Sequence, residues 1–257
     1  MIVISPRKVV SSLSVMIFSL GIANLLVNGA KCFLGRGGLW GITRLFDLDS
    51  ENNIPTWYSS ITLLMCAGLL GLIAYQKQQQ HDRFMMHWRV LAIIFLWISI
   101  DEASSVHELL IQLNSLLGTS GFLLFAWVIP GMILLVLFGC AYWTFWTALS
   151  LKVKRLFLLA FVLYVSGGLV MEMIGGQYIE VFAVTVPISN YSGWAGMGMA
   201  LILACEELLE MAGVAVFIYA LLVYLSRGTN TFQLSFSQSQ IQFDAKHHHP
   251  DPASRVH

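Results

Sequence analysis

The chain has 257 residues, 57% of them apolar and only 11% charged, with a mean hydropathy of +0.74 and no net charge. A soluble domain carries about 25% charged residues, so composition excludes a freely soluble fold, and the balanced charge offers no basic surface to nucleic acid. Cys32, Cys66, Cys140 and Cys205 are scattered, without a CxxC or Cys/His pairing, which removes a disulfide framework and a zinc site and leaves them as small buried apolar residues.

A bilayer core takes about 20 apolar residues per helix. Six segments qualify, approximately 9–30, 56–76, 88–117, 121–149, 156–176 and 194–226. The fold expected is all-α, a six-helix transmembrane bundle over residues 1–226, with a polar cytoplasmic tail over 227–257. The first segment follows Arg7 and Lys8 but lacks a small-x-small cleavage site, and Lys31 before Cys32 does not suit a lipoprotein signal, so it reads as a helix. With the N-terminus inside, cytoplasmic segments hold Arg7, Lys8, Lys77, Arg83, Arg89, Lys152, Lys154, Arg155, Arg227, Lys246 and Arg255, eleven of the fourteen basic residues. Lys31, Arg36 and Arg44 fall outside. This bias places both termini in the cytoplasm.

In chain order, the 31–55 loop begins Gly-rich and ends FDLDSENNIPTWYSS. Asp47, Asp49 and Glu51 alternate like the start of a calcium loop, but the glycine such a loop requires is missing and Tyr58 stands at position twelve. The segment reads instead as a turn, with Pro55 near the start of the second helix and Trp57 and Tyr58 at the membrane interface. QKQQQHDRFMMHWR is a short polar connection. GTSG at 118–121 is a tight turn, Pro130 is expected to kink the fourth helix, and SLKVKR returns the chain inside. The loop 177–193 carries Pro187 and Asn190. In the tail, FQLSFSQSQIQF alternates as a short strand or hairpin would, and HHHPDP reads as disordered.

Seven of the fourteen acids lie within the apolar stretches: Asp101, Glu102, Glu108, Glu172, Glu206, Glu207 and Glu210. An ionised carboxylate at mid-bilayer costs roughly 2.5–3.5 kcal/mol. Seven facing lipid would cost on the order of 20 kcal/mol, more than the roughly 5–15 kcal/mol stability of a typical fold. They must therefore face the protein interior, carry protons or bind a cation. In SIDEASSVHE, Asp101, Ser104, Ser105 and Glu108 share a helical face within about 100°. Gln112 and Ser115 extend that stripe, and Glu102 and His107 flank it. In CEELLEMAG the i,i+4 pair Glu206/Glu210 and the i,i+3 pair Glu207/Glu210 share a face. Glu172 sits in GGLVMEMIGG, whose glycines allow close helix approach. Counting 1.5 Å per residue from the cytoplasmic ends puts Asp101 ~18 Å, Glu172 and Glu210 ~25 Å, Glu108 ~28 Å and Glu206 ~31 Å up. Three helices thus bring acids to the outer half of the membrane, in a site expected to open outward under the 31–55 loop.

Clustered carboxylates are hard oxygen ligands that suit a divalent cation such as Mg, Ca or Mn, or a di-iron pair. Closely spaced acids also share protons. Asp101, Glu108, Glu206 and Glu210 are the expected direct metal ligands, with Glu102, His107, Glu172 and Glu207 behind them or as proton partners. Specific templates fit poorly. No Glu stands three residues before a His, as a carboxylate-bridged di-iron site wants. His107 is the lone membrane-segment histidine, which opposes a bis-histidine haem. Ser104 or Ser105 beside His107 has no GxSxG around it.

FDLDSENNIPTWYSS, SIDEASSVHE and EELLEMAG, in this order between about residues 44 and 225, resemble a family of uncharacterised multi-pass bacterial inner-membrane proteins. The resemblance implies that location and architecture, and transfers no catalytic role to any residue. The function expected is an intramembrane cation- or proton-binding site serving transport or sensing. The rivals are a metal-dependent membrane enzyme acting on a lipid or quinone, and a non-catalytic scaffold whose acids only order the bundle. The partner expected is the bilayer itself. Six helices are few for a secondary transporter and no internal repeat is visible, which a homo-oligomer would offset.

Overall fold

The computed structural model describes residues 2–34, 42–48, 50–106, 118–183, 192–226 and 232–234. These form α1 (Pro6–Leu34), the short α2 (Ile42–Phe46), α3 (Ile54–Gln79), α4 (Met85–Ser104), a 3-10 turn (Gly121–Leu123), α5 (Val128–Ala148), α6 (Leu151–Val165), a π-helical segment (Ser166–Met171), α7 (Glu172–Ala183) and α8 (Gly193–Leu225). Among the described residues, five stretches are long and apolar enough to cross a membrane: Pro6–Leu34, Ile54–Gln79, Val128–Ala148, Leu151–Phe182 and Gly193–Leu225. The architecture is all-helical apart from β1 (Ile2–Ile4), which pairs antiparallel with β2 (Phe232–Leu234). That pairing takes up the start of the alternating tail segment with the N-terminus as its partner, and it brings the two ends of the bundle together. The rest of the tail, including HHHPDP, lies outside the described residues, as do 35–41, Asp49, 107–117, and Pro187 and Asn190 of the loop before α8.

α8 is the central helix: 56% of its most apolar window is buried, against 33% or less in the other four. The larger core joins Leu63, Leu70 and Ile73 of α3, Trp88 of α4, Phe145 of α5 and Phe157 of α6 to Ile218 and Leu221 of α8. The mutual burial of apolar side chains there fixes the helices by shape. α1 closes the other side, where Gly21 brings its backbone to Leu208 of α8.

Local chemistry explains the ends. Asn53 caps α3 by accepting from the Thr56 amide, and Pro55 sits in the first turn, as expected. The Tyr58 hydroxyl donates to the Leu13 carbonyl of α1 at 3.3 Å, while Trp57 is exposed. α3 and α4 are clasped by reciprocal bonds, Ser60 Oγ to the Ser99 carbonyl at 2.9 Å and Ser99 Oγ to the Ser60 carbonyl at 2.8 Å.

Two helix boundaries differ from the sequence expectation. The third segment does not continue as one helix to 117: α4 stops at Ser104, and Ser105 takes a left-handed backbone with φ 53°. The fourth segment does not begin at 121. Gly118 and Gly121 adopt positive φ, as the GTSG turn requires, and α5 starts only at Val128. Pro130 therefore lies in the first turn of α5, where its missing N–H costs nothing, and it opens the helix instead of kinking it.

Candidate functional site

The acids converge where α8 meets the π-helical segment. A π-turn inserts one residue into the helical ladder and opens the backbone locally. Here it carries Gly167 and Gly168, and both are needed for the approach. A Cβ at 167 would stand 2.6 Å from the Glu206 carbonyl oxygen, and one at 168 would stand 2.5 Å from Glu210 Oε1. Gly213 does the same from the other side, its missing Cβ lying 2.8 Å from the Tyr164 amide nitrogen. Two backbones thus touch directly, and the long side chains of Glu206 and Glu210 are led along the contact.

Glu172 begins α7 immediately after the π-segment. Its Oε1 accepts from Trp127 Nε1 at 3.1 Å, which holds the carboxyl toward α8. The Glu206 carboxyl lies within hydrogen-bonding reach of that of Glu172, with Glu210 and Glu207 as further charged neighbours. Glu206 Oε2 is buried and has no hydrogen-bond partner among the described residues. Glu210 faces Glu102 and Glu172, and the Tyr164 hydroxyl is within hydrogen-bonding reach of it. Glu210, Glu102, Glu207 and Asp101 all lie near enough to Tyr164 to act on it electrostatically. α4, the π-segment with α7, and α8 therefore do pool six of the sequence-identified acids: Asp101, Glu102, Glu172, Glu206, Glu207 and Glu210. No Lys or Arg occurs anywhere in residues 90–151 or 156–226, so the helices that build the cluster bring no cation of their own at its level.

His107 and Glu108, the other two candidates, lie outside the described residues, with Gln112 and Ser115. Ser104 turns back on its own helix, donating to the Ile100 carbonyl, and Ser105 Oγ donates to the Glu51 carboxylate. Glu51 thus ties the segment before α3 to the end of α4, so the acidic motif of the first loop and the SIDEASS motif are parts of one structure. Among the described residues, no three His, Cys, Asp or Glu side chains are arranged to hold a metal ion. The expected division into direct metal ligands and supporting acids gains no support; Glu172 and Glu206, one from each class, lie within hydrogen-bonding reach of each other.

A second polar centre escaped the sequence reading. Asn24 and Asn28 on α1 are 1% and 5% exposed. Asn24 Oδ1 accepts from the Leu48 amide at 3.0 Å and from Asn28 Nδ2 at 2.8 Å, and Asn28 Nδ2 also reaches Asp47 Oδ1 at 3.2 Å. Asn53 Nδ2 donates to the carbonyls of Arg44, Asp47 and Ser50. Lys31 completes the set 3.9 Å from Asp47. FDLDSENN is therefore a loop folded onto α1 by amides, and the i,i+4 spacing of two asparagines in an apolar helix was the signal for it. Trp127 and Tyr164 gave no such signal among so many membrane aromatics.

A family described as a domain of unknown function (DUF8692) matches residues 20–225. The match starts within α1 and ends with α8, and so encloses both polar centres. No curated protein and no solved structure matches the chain.

Proposed function

The chain belongs to that DUF8692 family, and from this membership and the geometry of its acids we propose that it is a six-span bacterial inner-membrane protein whose intramembrane carboxyl cluster binds and releases protons in the service of transport or sensing. The observation that carries the reading is the pair Glu172 and Glu206, on different helices and within hydrogen-bonding reach. Two ionised carboxylates do not share such a contact in a low-dielectric interior; a proton or a cation must sit between them. The proton is favoured because the donors at hand, Trp127 and Tyr164, are neutral and no metal-binding group stands among the described residues.

The sixth span is α4, which is 20 residues long and falls short of the others in apolarity only because it carries Arg89, Asp101 and Glu102. The β1–β2 pairing supports an even number of crossings, since it joins the start of α1 to the segment after α8. The positive-inside bias then sets both termini in the cytoplasm. The cluster opens toward the opposite, extracytoplasmic end, where Glu51 meets Ser105.

The test is thermal unfolding of the purified full chain in neutral detergent across pH, with and without Mg, Ca, Mn or Zn, for the wild type, Glu172→Gln and Glu206→Gln. Proton binding predicts a pH-dependent unfolding temperature that either substitution flattens. A wild-type profile independent of pH and of every cation would sink the proposal and leave an acid cluster that only locks helices. A shift specific to one divalent ion would favour the metal reading instead.

A further inference from the structure

We propose that the chain also holds one anionic phospholipid, with the headgroup phosphate in a recess beside Lys77 and Arg83 and an acyl chain in the adjoining aromatic groove. The groove, about 560 Å³, lies between α4, α5, α6 and α8 and is walled by Phe95, Phe138, Trp146, Phe161 and Phe217. Its two tyrosine hydroxyls are engaged elsewhere: Tyr142 donates to the His87 carbonyl at 3.0 Å, and Tyr164 reaches Glu210. The groove therefore offers a hydrocarbon chain contact and offers a polar headgroup nothing.

The recess, about 340 Å³, lies next to it, and the Phe145 ring is a wall of both. Lys77, Asp82, Arg83 and Tyr224 line the recess. Lys77 is paired with Asp82 at 2.9 Å. Arg83 is exposed, its guanidinium 4.5 Å from the Phe84 ring centre, and among the described residues no carboxylate stands within ion-pair distance of it. Among the described residues, Lys77, Asp82 and Arg83 thus leave the recess with one net positive charge at the mouth of an apolar channel. That juxtaposition matches an anionic lipid: the charge selects the headgroup, and the groove selects a molecule with a tail. The bilayer is as apolar as the groove, so the chain contributes fit, and the preference among lipids resides in the headgroup.

The test is the thermal stabilisation and the lipid retention, by native mass spectrometry, of the purified full chain given phosphatidylglycerol, phosphatidylcholine or inorganic phosphate. Phosphatidylglycerol should stabilise and be retained as a single copy, and phosphatidylcholine should do so weakly. Arg83→Gln should weaken phosphatidylglycerol binding about fivefold, the worth of one basic residue at a membrane surface. Lys152→Gln, an exposed cation outside the recess, should not. Gly139→Leu fills the groove from a position with nothing within 4 Å of the new Cβ, so it should weaken retention without touching the charge. Equal effects of the two phospholipids, equal loss in Arg83→Gln and Lys152→Gln, stabilisation by inorganic phosphate alone, or unchanged retention in Gly139→Leu would each overturn the proposal.

Discussion

Gly167 and Gly168 are neighbours in sequence, yet alanine at each should do opposite things. At 167 the new Cβ meets the Glu206 carbonyl oxygen at 2.6 Å, Glu210 Cγ at 2.8 Å and the Glu210 amide nitrogen at 3.1 Å. Two of these are backbone atoms that no side-chain rotation can move, so the π-segment and α8 must part until the closest contact relaxes to about 3.4 Å. Overpacking of this kind costs about 1–3 kcal/mol. With three atoms this close, two of them backbone, the cost falls in the upper half of that range, about 2–3 kcal/mol; alanine returns up to about 1 kcal/mol of helix propensity, which leaves a net loss of at least about 1 kcal/mol. At 168 the closest atom is Glu210 Oε1, at 2.5 Å, the far end of a flexible side chain. Turning it away costs about 0.5–1.5 kcal/mol, which the same propensity gain nearly cancels, but the carboxyl leaves Tyr164. Gly168→Ala should therefore be close to neutral in stability and weaken the pH response without abolishing it, since the Glu172–Glu206 pair is left in place. Equilibrium unfolding in mixed micelles measures both, and a double-mutant cycle with Glu210→Ala separates the causes. Without the Glu210 side chain Gly168→Ala meets no clash and should stabilise by up to about 1 kcal/mol, whereas most of the Gly167→Ala cost should remain, because the Glu206 oxygen is still in place. If Gly167→Ala unfolds within about 0.5 kcal/mol of the wild type, the two backbones do not touch as described and the site loses its scaffold.

Asn53→Ala removes the cap of α3 and the donor to three carbonyls, and should cost about 2–4 kcal/mol in the same unfolding assay; Asn53→Asp keeps the cap acceptor and should fall between. Asn24→Ala leaves the Leu48 amide without its acceptor, so hydrogen exchange at Leu48 should accelerate while amides in the middle of α8 keep their protection. In the turn joining α3 to α4, the hydrogen bond from Lys77, then that from the Phe84 amide, holds the Asp82 carboxyl below the usual carboxylate range. A depressed folded value stabilises above the unfolded pKa of about 3.9 and is lost as pH falls through the folded one. Asp82→Asn should thus cost up to about 1 kcal/mol at neutral pH, less in high salt, and the gap from the wild type should close in acid; a gap that widens in acid reverses the sign and refutes the pairing.

The helices were legible because a bilayer demands unbroken apolar runs of a set length, and Pro6–Leu34, Ile54–Gln79 and Gly193–Leu225 lie close to the segments read from sequence. Interruptions were not. A run such as SIDEASSVHE keeps a helical period through Ser105, and nothing in that period announces a left-handed residue; the stop depends on Ser105 finding Glu51, which lies 54 residues earlier in the chain. The π-segment was hidden for a similar reason: SGGLVM is apolar enough to pass as ordinary helix, and its widened turn is set by the α8 backbone it packs against. The convergence of acids was legible because energy forbids the alternative. Carboxyls facing lipid are so costly that helices carrying them are expected to meet, and Glu172, Glu206 and Glu210, on two such elements, do lie close to one another.

The two polar centres differ in how fully their groups are satisfied. In the Asn24–Asp47–Asn53 network the Asn28 and Asn53 side-chain amides have protein acceptors and the Asn24 and Asn53 side-chain oxygens have donors, which is how a structural clasp is built, since each bond closes a polar atom that burial would otherwise penalise. The carboxyl cluster is built the other way. It sets acceptor against acceptor at Glu172 and Glu206 and, among the described residues, leaves Glu206 Oε2 buried without a partner, while Trp127 and Tyr164 bring it neutral donors. A centre meant only to hold helices together would be cheaper with glutamines, which provide donors and acceptors in one side chain. Retaining carboxyls there is what the proposed proton exchange requires, and that difference in chemistry, more than the number of acids, distinguishes the proposed site from the clasp.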